Sequence, residues 1–156
     1  MAETASYLSN IFIEWISPGV LAVNIRTAAY PGAADHWKAQ LTGENAKKWG
    51  RIFIDPSARE GKQRRRDALH PWGDTYKGEA GANLDECPGA MFVWETQAIA
   101  HVEPVDARSN QDLGRDMYHA LRRGIRDAID PSKASRMPRR GEMGWWEVRF
   151  RFDDFG

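Results

Sequence analysis

One stretch constrains the fold more than any other. Residues 91–129, MFVWETQAIAHVEPVDARSNQDLGRDMYHALRRGIRDAI, change period part-way along. In the first part Phe92, Trp94, Ala98, Ala100 and Val102 fall on one side, and Glu95, Gln97, His101 and Glu103 on the other. A period of two is the pattern of a half-buried strand, because successive side chains leave on opposite faces. In the second part Leu113, Met117, Leu121, Ile125 and Ile129 recur every four residues, and Arg115, Arg122, Arg123 and Arg126 take the remaining faces. That spacing predicts an amphipathic helix packed by one stripe. Ser109 in SNQD is the expected N-cap, with Asp112 near the positive end of the helix dipole. The unit therefore reads as a strand, a short loop and a helix lying back on the sheet.

The segment WWEVRFRF at 145–152 alternates again and supplies another strand for the same layer. Trp146, Val148, Phe150 and Phe152 face one way; Trp145, Glu147, Arg149 and Arg151 face the other. Its charged outer row marks an edge or solvent-facing strand. VLAVNIRT at 20–27 is short and β-branched, and RIFID at 51–55 is a strand closed by Pro56. Residues 34–49 turn helical, but Thr42-Gly43 divides them into two short helical pieces. TASYLSNIFIEWI at 4–16 can be read two ways. As a helix it has Ala5, Leu8, Phe12, Trp15 and Ile16 in one stripe, with Thr4 as cap. As a strand it alternates poorly, because both faces are mostly apolar; the helix is preferred. Residues 57–89 show little periodicity and read as one long irregular loop, and 132–144 as a second basic connector. The expected fold class is α+β in a single domain over 1–156. It comprises a mostly antiparallel sheet, one long amphipathic helix on one face, an N-terminal helix and long basic loops.

A chain of 156 residues buries about two-thirds of its unfolded surface. Twenty-two Lys and Arg balance 22 Asp and Glu, which argues against a surface built wholly for nucleic acid or an anionic membrane. A local basic patch is still compatible with that balance. Seven Trp are many for this length, and Trp serves both cores and interface centres. The one cysteine, Cys87, excludes an internal disulfide and suits a reducing compartment. No apolar run is long enough to span a membrane, and the short acidic N-terminus is unlike a signal peptide. The expectation is a soluble protein made in the cytosol.

The densest charge cluster is Arg59, Lys62, Arg64, Arg65 and Arg66 in AREGKQRRRD; Arg136, Arg139 and Arg140 form a second. Such runs grip phosphates by releasing counterions. A solvated loop, or one paired with acidic groups on a partner subunit, fits the same residues. The aromatics that would stack on bases are not interleaved with either run. His36, His70, His101 and His119 fall into no metal spacing, and neither HExxH nor paired CxxC occurs. His101 and Glu103 share the polar side of a strand and read as a surface contact. Cys87 has no identifiable His partner, and no GxGxxG, GxxxxGK[ST] or GxSxG is present. The expectation is a protein that is not an enzyme, with no catalytic, cofactor or metal residues.

The order of elements resembles the tail-terminator (tail-completion) proteins of long-tailed phages and related tail-like particles. The resemblance is carried by TQAIAHVEPVDARSNQDLGRDMYHALRRGIRDAI, a strand leading through a polar loop to a helix. It is also carried by RRGEMGWWEVRFRFDDF, a loop before an alternating terminal strand. Residues 28–49 and the long 57–89 stretch have no counterpart in it. The resemblance implies a homo-oligomer, a hexameric ring that caps the tail tube and meets the neck connector. It places the protein in the virion, assembled in the host cytoplasm, with no cofactor and no membrane. On that basis Arg59, Lys62, Arg64, Arg65, Arg66, Arg136, Arg139 and Arg140 face a partner or passing DNA, and Trp145, Arg149 and Arg151 pack between subunits. Two other classes stay open. One is a different neck, baseplate or tail component. The other is a monomeric ligand-binding or enzymatic α+β domain with a pocket lined by Trp94, His101 and Trp146.

Overall fold

The computed structural model describes residues 10–17, 19–55, 58–73, 81–89, 91–129 and 146–153. Among these, the chain forms strands β1 (Ile11–Ser17) and β2 (Val20–Arg26), helices α1 (Ala33–Leu41) and α2 (Gly43–Ala46), and strand β3 (Ile52–Ile54). Then follow α3 (Ala58–Leu69), β4 (Ala82–Cys87), β5 (Phe92–Trp94), β6 (His101–Asp106), α4 (Ala107–Ile129) and β7 (Glu147–Asp153). The class is α+β with a mixed main sheet. Five strands run in the order β1-β2-β7-β3-β5, and β4 and β6 form a separate antiparallel pair. The β2–β7 pairing is parallel, Val20↔Glu147 to Arg26↔Asp153. The other pairings in the main sheet are antiparallel.

Several expectations need correction. The preferred N-terminal helix is replaced over Ile11–Ser17 by a strand pairing with β2, Ile11↔Ile25 to Trp15↔Leu21. Residues 4–9 of that segment lie outside the described residues. Tight reversal at Gly19, whose φ of 79° favours glycine, makes the two segments a hairpin and outweighs the helical stripe. Trp15, which that stripe would have buried, is 60% exposed. The 57–89 stretch is not one loop: it contains α3 and β4.

The long alternating strand breaks after Glu95. Beyond β5 the Glu95 N–H still donates to the Arg51 carbonyl, but Thr96 Oγ1 donates to the Lys48 carbonyl and Trp94 Nε1 to the Ala98 carbonyl, so residues 96–100 leave the ladder. Its two halves enter different sheets. The terminal strand β7 is not an edge: it lies between β2 and β3 and completes the main sheet. Its outer face is charged as expected, with Arg149 and Arg151 exposed.

The core joins both sheets through α4 and α1. Leu113, Met117, Ala120, Leu121 and Ile125 of α4 are buried against Ile11, Leu21, Val23 and Ile25 of the hairpin, and against Tyr30, Trp37 and Val105. Each fully buried aliphatic side chain contributes about 1.5–3 kcal/mol. The expected N-cap at Ser109 is displaced by one turn. Asp106 Oδ2 accepts the Ser109 backbone N–H at 2.9 Å, so Asp106 caps a helix that starts at Ala107. Its carboxyl is held below the usual range by that N–H, then by the Ser109 side chain. None of the described helices is long and apolar enough to cross a membrane.

Candidate functional site

Polar groups converge where α1 crosses the β4–β6 pair. Gly32 precedes α1 at φ 82°, and its N–H donates to Asp35 Oδ2 at 3.1 Å, a first-turn carboxylate placed to offset orphan donors. The helix turns Ala33, Ala34, His36 and Trp37 inward. Opposite it, the register sets Asp85 across from Glu103 and Cys87 across from His101. With a period of two, all four lie on the face of the pair that meets α1.

His36 is the hub, with its side chain only 1% exposed. Its Nδ1 lies 2.7 Å from Asp85 Oδ2, and its Nε2 lies 2.8 Å from His101 Nδ1 and 3.4 Å from Glu103 Oε1. Asp85 is itself buried and also accepts from Trp37 Nε1 at 3.1 Å. Two donors hold this carboxylate, which fixes Nδ1–H of His36 toward it and leaves Nε2 to face the other two groups. Like charges directly opposite on one sheet face are destabilising, so the Asp85/Glu103 pair calls for a positive or donor group between them. Burial, then His36, pulls His101 below its ordinary pKa, with Glu103 opposing. Burial pushes the Cys87 thiol up, and Asp85 and Glu103 push it further, so Cys87 is not an activated nucleophile.

His36 Nε2, His101 Nδ1 and a Glu103 carboxylate oxygen all lie within 4.8 Å of one another. Sequence reading placed His101 and Glu103 together on a solvent face; the structure sets both against His36, with His101 half-buried and Glu103 still partly exposed. A cleft of about 430 Å³ borders the other side of the cluster, lined by Trp37, Asp85, Glu86, Met91, Asn110 and Met117 among others.

The basic cluster is helical, not a loop, and divides in two. Arg64 Nη2 meets Asp55 Oδ2 at 2.6 Å, and Arg65 Nε approaches Glu86 Oε1 at 3.6 Å. These two arginines fasten α3 to the body. Burial raises the Glu86 carboxyl above its usual range, and Arg65 only partly offsets that. Arg59, Lys62 and Arg66 are exposed, and their spacing places them on one helical face. Arg149 Nε pairs with Glu147 Oε2 at 2.9 Å, and Arg151 on β7 lies 3.7 Å from Glu14 on β1, reaching over the intervening β2. Arg136, Arg139, Arg140 and Trp145 lie outside the described residues.

The pocket expected from Trp94, His101 and Trp146 is divided among other partners. Trp94 packs edge-on against Trp49, His101 meets His36, and Trp146 packs on the main core. The chain matches no family model and no curated protein.

Proposed function

We propose that this chain is a structural assembly subunit of the tail-terminator kind, whose copies join head to tail into a ring. The observation that carries this reading is the pair of apolar features at opposite ends of the main sheet. At the β1 end, Trp15 is 60% exposed and Ile16 38%. At the β5 end, Ile99 is 61% exposed in the wall of a cleft of about 350 Å³, where Val93, Trp94 and Ala98 are mixed with the polar Arg64, Asp67 and Thr96. Large apolar side chains gathered at strand edges are a liability unless covered, and a second copy covers both at once. Contact between two unlike ends is heterologous, and it closes into a ring when the rotation permits.

On this reading the ring caps a phage tail tube, meets the neck connector and belongs to the virion. Subunit packing lies at the ends of the sheet rather than at β7, the middle strand that carries Arg149 and Arg151. Arg59, Lys62 and Arg66 face a partner or passing DNA, with Arg136, Arg139 and Arg140 in the same role. The reading assigns no catalytic residue.

Light scattering of the purified chain over a range of concentration and salt is the test. A mass that rises to a closed multiple such as six is expected. Trp15→Glu and Ile99→Glu should each give monomers, and an equimolar mixture of the two should give dimers, because each variant keeps one intact end. A monomer under all conditions, or variants with the wild-type mass, would overturn the proposal.

A further inference from the structure

We infer that His36, His101 and Glu103 form a binding site for a divalent first-row transition metal of the zinc class, supported from behind by Asp85. The inference is independent of ring assembly. Three donor atoms from two elements, His36 on α1 and His101 and Glu103 on β6, come within 4.8 Å of one another. Their chemistry is two imidazoles and one carboxylate. That set suits zinc, cobalt, nickel or iron, whereas magnesium and calcium take oxygen ligands.

The second observation lies behind the donors. Asp85 engages His36 Nδ1 at 2.7 Å and is itself held by Trp37 Nε1. This is the arrangement by which a carboxylate fixes the tautomer and direction of a metal-bound imidazole. With His36 Nδ1 engaged by Asp85, Nε2 is the ring nitrogen left toward His101 and Glu103. Its partners there are His101 Nδ1 at 2.8 Å and a Glu103 carboxylate oxygen at 3.4 Å, and a cation bound among the three would replace that ring-to-ring hydrogen bond. The same cation answers the two carboxylates set opposite one another by the β4–β6 register.

Two of the three separations need only a small adjustment, and the third, His101 Nδ1 to the Glu103 carboxylate oxygen, lies within 4.8 Å. Ligands on a tetrahedral zinc with bonds of about 2.0–2.1 Å stand about 3.3 Å apart. His36 Nε2 and Glu103 Oε1 are already at 3.4 Å; His36 Nε2 and His101 Nδ1, at 2.8 Å, must part by about 0.5 Å. His101 opens β6 directly after the irregular 96–100 stretch and is half-buried, so it is the ring with room to move. His36 seals the inner side, while the Glu103 side chain is 44% exposed. Three protein ligands with one side open leave the fourth position to water.

The experiment uses the full chain stripped with a chelator and titrated with Zn(II) and with Co(II), following heat and the cobalt visible bands. One equivalent should bind with micromolar or tighter affinity, while Mg(II) and Ca(II) should not compete. His101→Ala and Glu103→Gln, checked for wild-type circular dichroism, should each weaken binding about 100-fold or more. Asp85→Asn should weaken it by about 10–100-fold while keeping one equivalent. His36→Ala removes the hub, but because it can fail to fold, the test relies on the His101 and Glu103 variants. Absence of Zn(II) and Co(II) binding by the wild-type chain would overturn the site. So would binding that persists unchanged in both His101→Ala and Glu103→Gln.

Discussion

Tyr30 shows how much a single side chain fastens together here. It is buried just before α1, and its hydroxyl donates to Asp116 Oδ2 at 2.6 Å, tying that turn to the middle of α4 across 86 residues. Burial raises the phenol well above its ordinary pKa, and the hydrogen bond and charge of Asp116 raise it further. A group whose folded pKa lies above its unfolded value stabilises the fold fully below the unfolded value and loses that contribution as pH rises. Wild-type stability should therefore fall above about pH 10, the ordinary tyrosine value, and Tyr30→Phe should lack that part of the decline. At neutral pH Tyr30→Phe should cost about 1.5–3 kcal/mol, the range for a hydrogen bond to a charged acceptor. Urea unfolding of both proteins at pH 7 and pH 10.5 checks this, and parallel pH profiles would refute it. The His36 cluster shows why such contacts escape sequence reading. Its partners stand 49 and 65 residues away, so no local spacing could reveal them. One signal was available. Asp85 and Cys87, and His101 and Glu103, are each two residues apart in short strands, and antiparallel pairing lines such pairs up on one face.

Elements whose period was one-sided were legible. The stripe of α4, the division of residues 34–49 into α1 and α2, and the short strands β2 and β3 follow from pattern and breakers alone. Strand β1 was not legible, because apolar residues on both faces satisfy a helical stripe equally well. Helix α3 was hidden for the opposite reason. It is polar nearly all round, with Gly61 and Ala68 as its buried positions among the side chains described, and ion pairs to Asp55 and Glu86 hold it down. Within α4, two glycines make the case for packing over propensity. Replacing a helical glycine by alanine ordinarily stabilises by about 0.5–1 kcal/mol. At Gly114 a Cβ would meet nothing within 4 Å, so Gly114→Ala should show that gain. At Gly124 the added Cβ would stand 2.7 Å from Ile13 Cγ2 and 2.8 Å from its Cβ, where α4 rests on β1. Gly124→Ala should therefore destabilise, by about 1–3 kcal/mol for overpacking, despite the better helix former. Thermal unfolding of the two variants should give shifts of opposite sign; shifts of the same sign would mean that packing on β1 does not decide the outcome at Gly124.

At the scale of the whole molecule, the sequence order and the spatial order of the main sheet diverge at β7. Read as a charged-faced strand at the end of the alternating segments, it suggested an edge or a solvent-facing strand; the second holds, and the first fails because nothing in its own pattern reports which strands flank it. In the structure it is the strand that joins the β1–β2 hairpin to the β3–β5 pair. Val148 is buried and pairs with Leu21 on one side and Ile52 on the other. The Glu147 N–H donates to the Gly19 carbonyl, and the Ile54 N–H donates to the Trp146 carbonyl, so both flanking strands are fastened there. An edge strand can be removed with the rest of its sheet intact. Removal of a joining strand exposes two new edges and divides the hydrophobic layer beneath α4. A chain ended after Gly144 should therefore lose its cooperative unfolding transition and become sensitive to protease throughout, with residual helix in the far-ultraviolet circular dichroism. If the shortened chain instead unfolds cooperatively, with only a lowered midpoint, the hairpin and the β3–β5 pair hold together without β7. The sheet would then not depend on its last strand for its unity.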